Sequence, residues 1–170
     1  SSFQMLEKKY PVVSLPSARS QGEPLSGRFS IVAGDSFEYT LLADESDMFL
    51  MSSDAGYGFV AKYDDLISRN KNGKACVSLV TGSKLLPPLR VQNVTNDHIL
   101  VVTTEGRMLL FAVADLPQLG KGKGNKMISV PSARVASREE YVKVLAIVPK
   151  GAAVTLYSGK RKLTLKASDL

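Results

Sequence analysis

The chain has 170 residues, of which 44% are hydrophobic and 22% charged, and its formal net charge is +6. This ordinary composition excludes a disordered chain, and no apolar run is long enough to span a bilayer, so we expect a soluble, cytoplasmic domain that does not bind membranes. Cys76 and His98 are the only cysteine and histidine. A disulfide framework and a cysteine-based zinc site are therefore excluded.

The charge is unevenly distributed along the chain. Residues 1–66 carry five basic and ten acidic residues, residues 67–116 carry six and three, and residues 117–170 carry eleven and three. A gradient this steep favours an oriented, polyanionic partner. A simple contribution to solubility is the alternative.

In chain order, the sequence divides into a short opening and three similar units. Residues 1–15 end in "YPVVSL" and predict the last strand or two of a preceding blade. Units 16–66, 67–116 and 117–170 end in "KYDDL", "FAVADL" and "LKASDL", and the closing leucines are 51, 50 and 54 residues apart. We therefore predict a single domain over residues 1–170, made of about three blades and a remnant.

Each unit also contains a predicted β-hairpin. Gly56, Gly106 and Gly159 lie between β-rich runs, ten or eleven residues before the closing leucine, and glycine accepts the positive φ that tight turns need. About four strands in fifty residues predicts an all-β fold of propeller-like antiparallel blades. One helical turn is expected at "SREEYVKV", where Ser137 and Glu140 have the spacing of a capping box.

The loop that opens the third unit, "DLPQLGKGKGNKMISV", carries three glycines and three lysines between Gly120 and Lys126. It fails the nucleotide-binding motif, because Asn125 follows Lys123-Gly124 where Ser or Thr is needed, and a strand pattern follows instead of a helix. A phosphate-contact loop remains, since glycines allow close backbone approach and Lys121, Lys123 and Lys126 supply charge. A solvated surface turn is the alternative.

Five stretches between Leu15 and Leu170 carry a family resemblance: "LPSARSQGEPL", "SDAGYGFV", "TTEGRMLLF", "DLPQLGKGKGNK" and "GKRKLTLK". They resemble the C-terminal domain of the A subunit of bacterial type IIA topoisomerases, in particular its topoisomerase IV branch. The resemblance implies a β-pinwheel, a propeller-like disc in which neighbouring blades exchange strands. It also implies that the basic outer edge binds and bends duplex DNA.

One family motif is present in a degenerate form. The gyrase branch carries a seven-residue box, Gln-Arg-Arg-Gly-Gly-Lys-Gly, in its first blade. Here residues 118–124 read "QLGKGKG" and match it at Gln118, Gly122, Lys123 and Gly124, without either arginine and in the last unit. The departure argues against gyrase-like DNA wrapping, and the resemblance to topoisomerase IV implies relaxation and decatenation.

Basic residues in and around the opening loops extend the predicted DNA track. If the repeats place these loops on one rim, their charges line a curved surface that contacts phosphates and carries little sequence information. The loops contain no Trp, Phe or Tyr, which favours duplex over single-stranded DNA. The predicted DNA-binding residues are Arg19, Arg69, Lys71, Lys74, Lys121, Lys123, Lys126, Arg134, Lys160, Arg161 and Lys162.

An enzymatic site is not expected within this chain. The resemblance places the DNA-cleaving tyrosine, and the ATP and magnesium of the parent enzyme, in other domains, so we predict no catalytic residue, metal or cofactor here. Tyr39 and Tyr57 are interpreted as packing residues. Asp44, Glu45 and Asp47 are interpreted as a solvated acidic loop rather than a magnesium site.

The resemblance also implies protein partners within a heterotetramer of the parent topoisomerase. One is the N-terminal core of the A subunit, and the other is the B subunit, which carries the ATPase. A second function stays open, because residues 1–66 have a net charge of −5 and form a poor DNA surface. They would suit a protein-interaction propeller that docks to the enzyme core or to a chromosome-organising protein.

Overall fold

The structure, a computed structural model, describes residues 2–5, 17, 19–68, 70 and 73–166. Most of the regular structure in these residues is antiparallel β-sheet. The strands are β1 (Ser2–Met5), β2 (Met48–Ser52), β3 (Tyr57–Lys62), β4 (Lys74–Ser78), β5 (Leu89–Val91), β6 (His98–Thr103), β7 (Met108–Ala112), β8 (Asn125–Lys126), β9 (Val142–Val148), β10 (Val154–Ser158) and β11 (Arg161–Leu165). The helices are α1 (Tyr63–Leu66) and α2 (Ser132–Ala136), with 3-10 turns at Leu25–Gly27 and Val113–Asp115.

The three predicted hairpins are present. β2 pairs with β3, β6 with β7 and β10 with β11, each antiparallel and joined by a tight turn. The predicted turn glycines adopt positive φ, at 85° for Gly56, 79° for Gly106 and 59° for Gly159. Residues that carry a Cβ rarely adopt these backbone conformations. The positions of the glycines in the sequence therefore predicted the turns correctly.

The sheets combine strands from different predicted units. One four-stranded sheet has the order β5-β2-β3-β8, and a three-stranded sheet has the order β7-β6-β9. In the first, a hairpin of unit 16–66 is flanked by a strand from unit 67–116 and one from unit 117–170. In the second, a hairpin of unit 67–116 receives a strand from the unit that follows it. Neighbouring units therefore exchange strands, as the resemblance implied, while the unit boundaries stay a prediction.

The four-stranded sheet is buried on both faces. Phe49, Leu50 and Met51 are consecutive in β2 and only 3%, 0% and 0% exposed, although successive strand residues point to opposite faces. Phe49 and Met51 pack with Phe59 in one cluster, and Leu50 packs with Val60 in another. Burial of one such side chain contributes about 1.5–3 kcal/mol. The sheet is thus an inner layer packed from two sides.

The capping box predicted at Ser137 is wrong. The helix lies one turn earlier and ends at Ala136, and Ser137 stands at its C-terminus, where its N–H donates to the carbonyl of Ala133. Glu140 is unavailable as a cap because its carboxylate is buried in an ion-pair network. The β-branched residues after it then form β9, as their strand propensity favours.

The Glu140 carboxylate is 1% exposed and links three segments of the chain. It accepts hydrogen bonds from Thr103 Oγ1 at 3.0 Å, Arg107 Nε at 2.7 Å and Arg134 Nη1 at 3.0 Å. Burial raises the pKa of Glu140, but the hydrogen bonds from Arg107 and Thr103 and the charges of Arg107 and Arg134 outweigh it and hold the pKa below its ordinary value. The network joins the β6–β7 hairpin to the segment before β9.

The loop that opens the third unit is fixed by backbone hydrogen bonds to two earlier strands. The Leu119 N–H donates to the Val60 carbonyl in β3 at 2.9 Å, and the Gly122 N–H donates to the Cys76 carbonyl in β4 at 2.9 Å. The chain then forms β8, which pairs antiparallel with the start of β3. The sequence pattern indicated a surface loop, and the structure makes this segment part of the sheet.

Glycines on both sides allow this segment to approach β3 closely. Gly124 has φ +77°, and a Cβ built on it would lie 2.0 Å from the Gly58 carbonyl oxygen. A Cβ on Gly58 would lie 2.7 Å from the sulfur of Met127, and the Met127 N–H donates to the Gly56 carbonyl at 2.7 Å. No side chain fits between the two backbones at these positions, so the glycines set the distance between β8 and β3.

Gly124→Ala should destabilise the domain more than a glycine substitution in an open turn. Gly106 is a matched control, because its φ of +79° is nearly the same but nothing lies within 4 Å of its added Cβ. A positive φ costs an alanine about 1–2 kcal/mol at either position, and only Gly124→Ala must also displace β8. Urea unfolding of both variants measures the difference. Equal losses of unfolding free energy would contradict the packing role of Gly124.

Acid should destabilise the wild-type domain through Glu140. Because its pKa in the folded state is lowered from 4.5, the unfolded state binds protons more readily, and the stabilisation is complete above about pH 4.5 and lost as the pH falls through the folded value. Urea unfolding from pH 7 to pH 3 should show a steeper loss for wild type than for Glu140→Gln. Glu139→Gln, which changes an exposed neighbour, is the control and should keep the wild-type slope.

Candidate functional site

Three exposed lysines lie on the loop that leads to β8 and in β8 itself. They are Lys121, Lys123 and Lys126, and the last of these lies in β8, directly opposite Tyr57 in β3. The ammonium of Lys123 lies 4.7 Å from the centroid of the Tyr57 ring, and that of Lys126 lies 5.7 Å from it. Both distances fall within the range of cation–π attraction. One ring therefore holds two of the three predicted phosphate-contacting lysines.

Lys74 approaches the same loop from β4. Its ammonium donates a hydrogen bond to the Asp65 carbonyl and lies 3.6 Å from the position that a Cβ on Gly120 would take. The backbone contact between β4 and Gly122 brings the two segments together. The structure thus unites Lys74 of the second predicted unit with the lysine loop of the third. We call Lys74, Lys121, Lys123 and Lys126 the lysine cluster.

The other predicted DNA-binding residues lie apart from the lysine cluster or outside the described residues. Arg69 and Lys71 lie outside the described residues. Arg19 is exposed in the irregular segment before β2. Residues 160–162 form the turn and first strand positions of the β10–β11 hairpin and are all exposed. The hairpin forms a two-stranded sheet of its own, apart from the sheet that contains β8. Membership of residues 160–162 and the lysine cluster in one track therefore stays a prediction.

Arg134 lies in a different environment from the lysines. Its guanidinium is within 3.0 Å of Glu140, 3.6 Å of Glu139 and 3.7 Å of Glu105. Three carboxylates thus compensate its charge within the fold. We leave Arg134 out of the lysine cluster for this reason, and its contact with DNA stays a prediction.

Most other described arginines are also paired inside the domain. Arg138 Nη1 lies 2.8 Å from the buried carboxylate of Asp54, and its guanidinium lies 3.9 Å from the centroid of the Tyr141 ring. The remaining pairs are Arg28 with Glu23, Arg90 with Asp47 and Arg107 with Glu140. By contrast, no ion pair joins any member of the lysine cluster to a carboxylate of the described residues. Within the described part of the chain, the cluster therefore presents positive charge that no carboxylate pairs with.

The degenerate box has a structural role at most of its matching positions. Gln118 forms a parallel bridge with Val60, and Gly122 forms one with Val77. Gly124 lies against the backbone of β3. Of the four matching residues, Lys123 alone carries a charge, and that charge lies over Tyr57. The glycines that suggested a phosphate loop are thus used for contacts between backbones.

Tyr57 is the member of this site that the sequence did not predict. It was interpreted as a packing residue, and it does pack against a buried cluster, yet its ring also contacts both lysines. Only the register of β8 against β3 reveals this, because Tyr57 and Lys126 are far apart in sequence. The motif "DAGYGF" gave a local signal for the turn but none for the partner strand.

The acidic loop before β2 is organised by its own hydrogen bonds. The Asp44 N–H donates to the Asp47 carboxylate at 2.8 Å, and Asp47 pairs with Arg90 at 2.9 Å. Within the described ranges, His, Cys, Asp and Glu side chains form no group of three or more that could hold a metal ion. The described helices are all too short to cross a bilayer.

Tyr39 donates a hydrogen bond from its hydroxyl to the Leu85 carbonyl at 3.2 Å, which agrees with its interpretation as a packing residue.

Known proteins resemble this chain over nearly its whole length. The A subunit of DNA topoisomerase 4 from Pseudomonas aeruginosa is 58% identical over 160 residues, which cover 94% of this chain and 21% of the relative. The same subunit from Escherichia coli K12 is 43% identical over 158 residues, covering 93% of this chain and 21% of the relative. The chain thus spans 21% of the length of each of these curated relatives.

Solved structures confirm the fold. The structure of the E. coli ParC C-terminal domain matches with a TM-score of 0.83 and 43% identity over 92% of this chain and 63% of that one. A crystal structure of the C-terminal domain of DNA topoisomerase IV matches with a TM-score of 0.60 over 86% of this chain and 45% of that one, at 12% identity. The second match supports the fold alone. The predicted all-β pinwheel of propeller-like blades is therefore confirmed.

A family model described as the DNA gyrase C-terminal domain, β-propeller, matches residues 47–91 and 97–147. These two matches contain the β2–β3 and β6–β7 hairpins and the strands that join them, including β8 with its lysine loop. They cover the part of the chain in which strands are exchanged and in which the lysine cluster lies. The chain belongs to the family of DNA gyrase C-terminal, β-propeller domains, and its relatives named here are A subunits of topoisomerase IV.

Proposed function

We propose that this domain binds duplex DNA through phosphate contacts centred on the lysine cluster. The observation that carries the proposal is the charge of four lysines that no described carboxylate pairs with. They come from two predicted units and lie on β4, on the loop that contacts β4, and on β8. Lysine ammonium groups neutralise backbone phosphates and release the counterions condensed on DNA. Such contacts position DNA without reading its sequence.

The proposed role within a longer protein is to guide substrate choice. A curved basic rim bends the duplex, and the bend costs roughly 1–6 kcal/mol for 20–30 base pairs, so several phosphate contacts must act together. Lys160, Arg161 and Lys162 lie on an exposed hairpin that would extend the track. The parent would be a bacterial, cytoplasmic topoisomerase that cleaves DNA and hydrolyses ATP in other domains, assembled as a heterotetramer with a B subunit. Relaxation and decatenation are its proposed reactions.

A second candidate function is docking to protein. Residues 29–61 contain six acidic residues and no basic residue, and two apolar side chains there are highly exposed, Val32 at 73% and Leu42 at 86%. Apolar groups bordered by acidic residues suit a basic protein surface better than DNA. The proposed partner is the N-terminal core of the parent A subunit, and the alternative is a chromosome-organising protein.

Charge removal at the lysine loop should weaken DNA binding and its salt dependence. The variant combines Lys121→Gln, Lys123→Gln and Lys126→Gln and is compared with wild type by fluorescence anisotropy on a linear duplex of about 30 base pairs. The slope of log K against log salt should become shallower by about 0.9 for each phosphate contact that the substitutions remove, or about 2.7 for three. The loss of affinity should be the same for unrelated duplex sequences.

A matched control separates the cluster from net charge. Lys84→Gln, Lys143→Gln and Lys150→Gln remove the same charge from exposed positions elsewhere, and this variant should bind nearly as wild type does. Equal weakening by the two triple variants would contradict a localised site. Wild-type binding that is absent at low salt, or that does not weaken as salt rises, would contradict the proposed function itself.

Docking through the acidic segment is tested with Val32→Ser and Leu42→Ser in one variant. Binding of the purified N-terminal core of the parent A subunit, measured by calorimetry without DNA, should weaken about tenfold or more if these residues are central contacts. Tyr157→Ser is the control, because that side chain is 77% exposed but lies in β10. Unchanged binding by the Val32/Leu42 variant would exclude this surface.

A further inference from the structure

The Tyr57 ring contacts the ammonium groups of two members of the lysine cluster, Lys123 and Lys126. We infer that Tyr57 is a positioning residue for DNA phosphate binding, which holds the Lys123 and Lys126 side chains in place before DNA arrives. The inference rests on the proposed function, since it deepens the same site. It assigns to the ring a role that its packing in the core does not explain.

The ring is itself fixed by the fold. Tyr57 is half-buried and packs against a buried apolar cluster that includes Ala55, Ile128 and Val130. Glycines flank it on both sides, and segment 124–128 crosses them at backbone contact distance. A ring anchored in this way cannot follow the lysines if they move. The lysines adapt to the ring, and the ring serves as the fixed platform.

Both lysines reach the ring because of the strand exchange. Lys126 is the direct cross-strand partner of Tyr57 in the β3–β8 pair, and side chains directly opposite each other in antiparallel strands contact one another. Lys123 precedes the Gly124 turn, whose contact with Gly58 brings its side chain over the same ring. The two cations therefore lie at one aromatic surface, although β3 and β8 belong to different predicted units.

Positioning matters here because lysine is flexible. A lysine side chain has many rotamers, and ordering it on binding lowers the affinity gained from each phosphate contact. A ring that already restricts the ammonium reduces this loss. The contact leaves the ammonium charged and at the surface, where a phosphate oxygen can reach it. An ion pair with a carboxylate would restrict the lysine equally but would cancel its charge.

The test is a double-mutant cycle on the whole 170-residue chain. Tyr57→Leu keeps an apolar side chain but removes the aromatic ring, and Tyr57→Phe keeps the ring and removes the hydroxyl. Tyr57→Leu should weaken duplex binding by about two- to fivefold for each cation–π interaction that it removes. Tyr57→Phe should bind as wild type does. In the Lys123→Gln/Lys126→Gln background, Tyr57→Leu should have no further effect.

The cycle distinguishes positioning from a structural role. If Tyr57→Leu weakens binding equally in both backgrounds, the effect does not pass through the lysines and the inference is overturned. Wild-type affinity in Tyr57→Leu also overturns it, while the proposed function stands. Failure of the wild-type chain to bind duplex DNA overturns the proposed function and this inference together. The experiment therefore distinguishes failure of the proposed function from failure of the inference about Tyr57.

A measurement without DNA covers the case in which Tyr57→Leu unfolds. In wild type, the protons next to the ammonium groups of Lys123 and Lys126 should show ring-current shifts in NMR spectra, and Lys121 serves as the internal reference. Tyr57→Phe should keep these shifts. Spectra in which the three lysines are indistinguishable would show that the ring does not hold them, and would overturn the inference whatever the stability of the leucine variant.

Discussion

The close backbone contact between segment 124–128 and the turn at Gly56–Gly58 is the constraint on which the rest of the structure depends. A carbonyl oxygen occupies the space that a Cβ on Gly124 would need, so the two strands meet at a distance that only glycine permits. This contact adds β8 to the sheet that β5, β2 and β3 form. It also fixes where the lysines emerge. Fold and candidate site therefore share one determinant.

The basic residues of the domain divide by chemistry. Guanidinium groups have a planar fork that pairs well with carboxylates, and Arg107, Arg134 and Arg138 pair with the buried acids Glu140 and Asp54. Lysine ammonium groups are more strongly hydrated and remain at the surface. The charge gradient along the sequence did not distinguish these two kinds of basic residue. The pairing shows that part of the basic charge lies in ion pairs with buried carboxylates of the same domain.

The fold was largely predictable because its signals are local. A turn glycine with positive φ and flanking β-rich runs identifies a hairpin without reference to the rest of the chain, and this held at Gly56, Gly106 and Gly159. Strand exchange was implied only by family resemblance, since pairing of β8 with β3 depends on residues far apart in sequence. The burial of Glu140 was missed for the same reason. A local capping pattern competed there with long-range ion pairs, and the ion pairs prevailed.

The candidate site shows why a glycine–lysine motif is ambiguous. Glycine next to lysine resembles a phosphate loop, in which backbone N–H groups face the ligand. Here the Gly122 N–H is already bonded to the carbonyl of Cys76, and Gly124 lies against β3, so these glycines serve the sheet. In the proposed function, the lysine side chains rather than the glycine N–H groups contact the DNA phosphates. Two positions that match the gyrase box can therefore be explained by strand packing, and their presence does not by itself imply gyrase-like wrapping of DNA.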